Sequence, residues 1–423
     1  MRVAVVGAGI IGVTTAYELS TDGHEVTVFE RCASVAAEGS FANAGVIAPG
    51  YVTPWAAPGM PLKVLKHLFA RHAPVRFGAG TLAATPWLWR FVRACGSRTH
   101  VANRTRMQAL AQLSRDRLAD LSTTLRLEYE QASGYLVLMR TPLALAQAQP
   151  GIALLRELGV AFEVVDAARC HTIEPALHPG APLYAAIHLP RDGVGNCRQF
   201  AHLMKAHAQA LGARFWFGHQ VHRLTPGQGV ELEVSGPDSA QGLRSESFDA
   251  VVVCAGSEAG ALLKPLGISL PLLPVYGYSV TAPVRQIDGI PDSGPRSALM
   301  DERYKVAISR LGQRIRIAGS AEIGGRPGDL RAAALHTLYK VLEDWFPGAA
   351  DLAKAQHWKG ARPMLPDGPP VIGPSGAPGV WLNLGHGSSG WALSCGSARV
   401  LADLVGGRAA PIDVAGLGIE RLR

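Results

Sequence analysis

The chain has 423 residues, of which 48% are apolar and 17% charged, with a formal net charge of +8. That composition is ordinary for a folded globular protein, long enough for two domains and free of low-complexity linkers. No apolar run nears the roughly 20 residues needed to span a bilayer. The basic residues are scattered and accompany no nucleic-acid motif, so the charge reads as solvated surface, with an inner-membrane surface as the alternative.

In chain order, Arg2 to Val6 is a short apolar strand. It gives way at once to a glycine pattern, so no signal peptide is expected. Gly7-Ala8-Gly9-Ile10-Ile11-Gly12 follows, then a helical stretch through Leu19 and a second strand, Val26 to Phe29, ended by Glu30. Glu30 lies near the expected offset of about 20 residues from the glycines. Each position has a task in holding a dinucleotide: Gly7 turns, Gly9 lets the backbone approach a pyrophosphate, Gly12 lets the helix settle on the strand, and Glu30 accepts from ribose hydroxyls. An acid there disfavours a 2′-phosphate, which argues against NADP.

The fingerprint alone leaves NAD and FAD open. Ser40 to Tyr51 is small, polar and irregular, where an NAD domain would continue with a helix and strand. Phe248 to Val253 is a buried parallel strand ending in Cys254-Ala255-Gly256, small residues suited to pass a cofactor. Both favour FAD. Gln108 to Tyr129 carries Leu110, Leu113, Leu118, Leu121 and Leu125 at helical spacing. Gly134 to Met139, Val275 to Ala282, Lys305 to Ser309 and Arg314 to Ala318 read as strands of an antiparallel sheet. Near the C-terminus, Gly385-His386-Gly387-Ser388-Ser389-Gly390 joins a strand to a helix. The six cysteines form no CxxC pair, which indicates reduced thiols on the cytosolic side. His219 and His222 would point to opposite faces of a strand, so no metal is expected.

Further segments carry a resemblance: Ala42-Asn43-Ala44-Gly45, Pro49-Gly50-Tyr51, Pro54-Trp55-Ala56-Ala57-Pro58-Gly59, Arg71-His72-Ala73-Pro74, Gly277-Tyr278-Ser279, Tyr304 to Arg310, Arg362-Pro363-Met364, Pro366-Asp367-Gly368, and Gly385-His386-Gly387 with Gly390-Trp391. On these the chain resembles, nearly end to end, the bacterial FAD-dependent D-amino acid dehydrogenases of small-subunit type, within the D-amino acid oxidase/glycine oxidase superfamily. Gly39, Tyr276 and Ser388-Ser389 depart from that pattern.

The resemblance implies an α/β fold: a Rossmann-like FAD-binding domain (1–60, 190–274 and 350–423) with a discontinuous α+β substrate domain on a mostly antiparallel sheet (61–189 and 275–349). With the fingerprint, it implies non-covalent FAD held by Val6, Gly7, Gly9, Ile10, Ile11, Gly12, Glu30, Arg31, Ser40, Asn43, Ala44, Gly45, Val46, Val221, Ala255, Gly256 and Gly385, His386, Gly387, Ser388, Ser389 and Gly390. The implied reaction is oxidative deamination of a D-amino acid, with electrons passed to a quinone or other non-oxygen acceptor. A glycine, sarcosine or imino-acid oxidase and a flavin-binding scaffold subunit are the alternatives.

Hydride removal from an amino acid needs positioning more than side-chain acid/base work. A carboxylate anchor calls for the planar fork of arginine. Arg362 is the choice, since Pro363 disfavours a helical conformation at the residue before it. Tyr304, Tyr278 and Tyr51 are candidates to complete the anchor; His386 is expected beside the flavin but not as a base. Pro86-Trp87-Leu88-Trp89-Arg90-Phe91 sets aromatics beside a base, either as an interfacial segment or as the start of a core helix.

Overall fold

The computed structural model describes residues 1–67, 70–237, 242–285 and 293–422. Its first sheet has six strands built from distant parts of the chain. Arg2–Val6 lies in its middle, parallel to Glu25–Glu30 on one side and to Ala250–Val253 on the other. These are continuous apolar runs, as strands buried on both faces require. Val380–Leu384 extends the sheet beyond Ala250–Val253, Val371–Pro374 closes that edge antiparallel, and Arg214–Phe217 closes the opposite edge.

Helix α1 (Ile10–Thr21) covers one face together with Cys197–Ala210 and the last helix, Gly390–Val405. Three helices follow the first sheet strands: α2 (Met60–His67), α3 (Thr85–Ala94) and α4 (Ser97–Thr124). The amphipathic stretch expected from Gln108 belongs to α4, which begins earlier and stops before Leu125. Its Met107, Leu110, Ala111, Leu118 and Leu121 join the core under the first sheet, not a substrate-domain core. A buried charge fastens this layer. Glu18 on α1 is 1% exposed and accepts from Arg117 of α4 at 2.7 and 2.9 Å and from Arg399 of the last helix at 2.8 Å.

The second sheet is larger and mostly antiparallel. Its order is Gln356–Met364, Leu273–Pro283, Arg314–Ile323, Val306–Leu311, Ala298–Asp301, Ala132–Met139, Ala185–Val194 and Val46–Ile47. The predicted strands at 275, 305 and 314 are all present, with the third extended to Ile323. Val46–Ile47, Gln356–Met364 and the end of Ala185–Val194 pair in this sheet, although the expected boundaries assign them to the cofactor domain. Helix Ala332–Trp345 packs on one face, against Leu273–Pro283, Arg314–Ile323 and Val306–Leu311, in a core that also holds Leu136 and Leu138. By strand alternation Tyr135, Val137 and Met139 look the other way, into a cavity between the two sheets.

Candidate active site

The cavity has a volume of about 2210 Å³ and runs from the first glycine loop to the last. That exceeds the roughly 300–1,000 Å³ of a typical small-ligand site, as a dinucleotide and a substrate together demand. Every residue expected to hold the cofactor lines it except Gly12. Gly12 sits beneath: a Cβ there would lie 1.8 Å from the Gly7 carbonyl oxygen, so only glycine lets α1 start this close to the strand.

The N-terminus of α1 has no side-chain cap on Gly9, and the Ile10 N–H donates to Ser40 Oγ at 3.1 Å. Glu30 is pinned by the N–H groups of Ala8 (2.7 Å) and Cys32 (2.8 Å), one to each oxygen, which leaves a lone pair on each for a ribose hydroxyl. At the far end, Gly385 and Gly387 adopt φ of +77° and +58°, and the last helix begins with no side-chain cap on Ser389. Two helix N-termini whose N-cap residues supply no side-chain cap thus meet one cavity. The buried atoms His386 Nε2, Asn383 Oδ1 and Ser257 Oγ have no partner in the protein. Buried polar atoms are normally paired, so these residues fit a large polar cofactor. Burial pushes the His386 imidazole down to about 3, so it stays neutral at physiological pH.

The loop between these ends is clamped by a device not read from the sequence. Three successive carbonyls accept from three side chains of the large sheet: Ala42 from Ser279 Oγ (2.7 Å), Asn43 from Arg316 Nη1 (3.0 Å) and Ala44 from Ser309 Oγ (2.7 Å). Arg316 is 5% exposed and burial lowers its pKa to about 10. Ser279 and Ser309 fall within the segments that carry the resemblance, which was the available signal.

Arg362 lies on Gln356–Met364, opposite Val275. Its guanidinium crosses Gly277, where a Cβ would come within 2.3 Å of Nη2, so glycine keeps the fork's place open. Nη1 donates to the Ser320 carbonyl at 2.9 Å, and the Trp55 ring centroid is 5.9 Å away. No carboxylate pairs with it among the described residues, and burial lowers its pKa to about 10. Trp55 in turn donates from Nε1 to Ser388 Oγ at 3.0 Å, tying this wall to the last glycine loop.

The tyrosines divide. Tyr51 and Tyr278 line the cavity, but their hydroxyl protons are committed: Tyr51 donates to Glu302 at 2.8 Å and Tyr278 to Glu322 at 2.5 Å. Burial, and then the neighbouring glutamate, raises the pKa of each. Lys305 donates to the Tyr51 oxygen at 3.1 Å and also pairs with Glu302. Glu322 is 1% exposed and further paired with Lys359 (2.8 Å) and Arg331 (2.5 Å). Tyr304 does not line the cavity. It is 9% exposed in the core under Ala332–Trp345, with Arg140, Arg303 and Lys340 against its ring. The turn that carries it places Glu302, Arg303 and Lys305 on the cavity wall instead.

The family model for FAD dependent oxidoreductases matches residues 2–404. The chain is 44% identical to a D-amino acid dehydrogenase of Bradyrhizobium diazoefficiens, covering all of this chain and 99% of the relative. It is 45% identical to one of Cereibacter sphaeroides, covering all of this chain and 95% of the relative. Among solved structures it superposes on glycine oxidase from Geobacillus kaustophilus with a TM-score of 0.76 at 20% identity, over 99% and 98% of the two chains. L-proline dehydrogenase from P. horikoshii gives 0.71 at 16% identity, over 100% and 97%. The cradle, the fold and these matches agree: the chain belongs to the family of FAD dependent oxidoreductases.

Proposed function

We propose that this protein is a D-amino acid dehydrogenase, which removes a hydride from the substrate Cα and passes the electrons to a quinone or another acceptor that is not O₂. The observation that carries the reading is Arg362, a guanidinium deep in the cofactor cavity with no acidic partner among the described residues. Its planar fork suits the two oxygens of an α-carboxylate, and the names of full-length relatives supply the substrate class. Bound FAD would supply the hydride acceptor at its N5 position. The chain's own residues supply placement: Arg362 fixes the carboxylate, Trp55 walls the site beside the last glycine loop, and neutral His386 adds no competing charge. The proton leaving the amine goes to cavity water. With their protons held by Glu302 and Glu322, Tyr51 and Tyr278 are shaped to accept from a substrate ammonium, not to donate to its carboxylate.

Peripheral contact with a membrane is part of this proposal. No described helix is long and apolar enough to cross a membrane. α3 divides its two tryptophans: Trp87 is core and donates to the Met364 carbonyl, while Trp89 is 60% exposed. Leu62, Leu65, Leu82 and Val92 are also exposed nearby, among Lys63, Lys66, Arg90 and Arg93. Apolar side chains interleaved with bases suit an anionic lipid surface.

The test is anaerobic mixing of the holoenzyme with D- and L-amino acids. The flavin should bleach with D-amino acids, and the reduced enzyme should react slowly with O₂. Bleaching by glycine or an imino acid alone, with fast reoxidation in air, would replace the dehydrogenase by an oxidase.

A further inference from the structure

The cavity continues well past Arg362. Five strand-to-strand steps separate Gln356–Met364 from Ala132–Met139 in the large sheet. At about 4.8 Å per step this is roughly 24 Å measured along the sheet, more than one amino acid head group spans. The far lobe is walled by Val137, Met139, Ile152, Leu155, Ile187 and Leu189, the middle pair from helix α5 (Pro142–Glu157). Two buried polar groups without a partner, Arg104 Nε and the Tyr135 hydroxyl, stand among these apolar walls. Arg104 of α4 lines the lobe, its Nε is buried without a partner, and its closest recorded acceptor is the Gly151 carbonyl at 3.5 Å. No acid pairs with Arg104 among the described residues, and burial lowers its pKa. The rim carries exposed leucines: Leu62 (58%) and Leu65 (64%) on α2, and Leu143 (66%) on α5.

We propose that this distal lobe is the docking site of the electron acceptor, a flat apolar carbonyl compound of the quinone class, with Arg104 donating to a carbonyl oxygen. Mostly apolar walls with a few placed donors, here Arg104 and the Tyr135 hydroxyl, are what such a ligand needs. A second carboxylate would instead call for polar walls, and the substrate's own carboxylate already has Arg362. The step balances: conversion of CH–NH₂ to C=NH releases two electrons and two protons, and the quinone takes up two electrons and, through cavity water, two protons, one on each oxygen. The proposal rests on the dehydrogenase reading for the source of electrons, so the two half-reactions are tested apart.

The holoenzyme and the variants Arg104→Leu and Ala148→Trp are each reduced in two ways, by a D-amino acid and by a stoichiometric amount of dithionite. Reoxidation is then followed with a short-chain ubiquinone and, separately, with ferricyanide. Arg104→Leu should slow ubiquinone reoxidation about ten- to a hundredfold, the loss of a hydrogen bond from a charged donor. Ala148→Trp, which fills the lobe from α5, should do the same. Reduction by the amino acid and reoxidation by ferricyanide should stay within about twofold, below what one hydrogen bond supplies. Unchanged ubiquinone rates in both variants would overturn the proposal. Slowed amino acid reduction with unchanged ubiquinone rates would reassign the lobe to the substrate side chain, and also overturn it. Failure of every D-amino acid to bleach the flavin refutes the dehydrogenase reading alone, since dithionite-reduced enzyme still reports on the lobe.

Discussion

Arg362 and Asp192 are buried charges of opposite fate. Arg362 is a cation with no acidic partner among the described residues. Arg362→Ala should leave FAD bound and weaken substrate binding by about 2–5 kcal/mol, the range for breaking a buried charge pair; anaerobic titration of the flavin spectrum measures it, and an unchanged Kd removes Arg362 from the site. Asp192 is 4% exposed and accepts from the Gly50 N–H at 3.0 Å, and burial raises its pKa to about 7. The folded value lies above the unfolded one, so its contribution is most favourable below about pH 4 and is lost as pH rises towards 7. Asp192→Asn should therefore stabilise the protein at pH 8 by roughly 2–4 kcal/mol relative to its effect at pH 4, read from paired thermal melts. The extended, cavity-lining placement of Arg362 was legible because Pro363 disfavours a helical conformation at the residue before it. Tyr304 was misplaced because a tyrosine in a turn gives no sign of which side its ring takes. The commitments of Tyr51 and Tyr278 were illegible because Glu302 and Glu322 reach them only once distant strands pair.

Elements show the same division. The first strand and its glycine turn were readable to the residue, since each glycine there answers a local steric demand, while α1 runs past the expected Leu19 to Thr21. Strand ends in the large sheet were not: Arg314–Ile323 is buried almost throughout, so no alternation marks where it stops. The start of α4 was missed because its first turns, Ser97 to Arg106, are polar and carry no apolar period. The carbonyl clamp on Ala42, Asn43 and Ala44 is a property of two elements together. Ser309→Ala removes one arm and leaves the Ala44 carbonyl without that donor. An unsatisfied buried acceptor costs about 1–3 kcal/mol, so the FAD Kd should rise about tenfold or more while the far-UV circular dichroism stays unchanged. An unaltered FAD affinity, measured by flavin fluorescence on reconstitution, would show that the loop holds its shape without the clamp.

At the scale of the molecule, one surface stands apart. Leu82 and Trp89 are 86% and 60% exposed, and neither is needed for the core. The double variant Leu82→Ser, Trp89→Ser should fold and bleach with substrate as wild type does, yet lose binding to vesicles rich in anionic lipid at low salt. A wild-type protein that stays in the supernatant would end the lipid reading. The sheet order has a consequence for synthesis. Arg2–Val6 is the middle of its sheet, yet on one side its partner is Ala250–Val253, and beyond that Val380–Leu384. A nascent chain therefore carries a hydrophobic strand with one bare edge until Ala250–Val253 has been made. The two glycine loops that line the cavity are both present only once Gly390–Val405 has been made. A bare strand edge is an aggregation hazard, so Arg2–Val6 is a strand whose edge needs Ala250–Val253 for cover, and a chain without Gly390–Val405 lacks one of the two helix starts that meet the cavity.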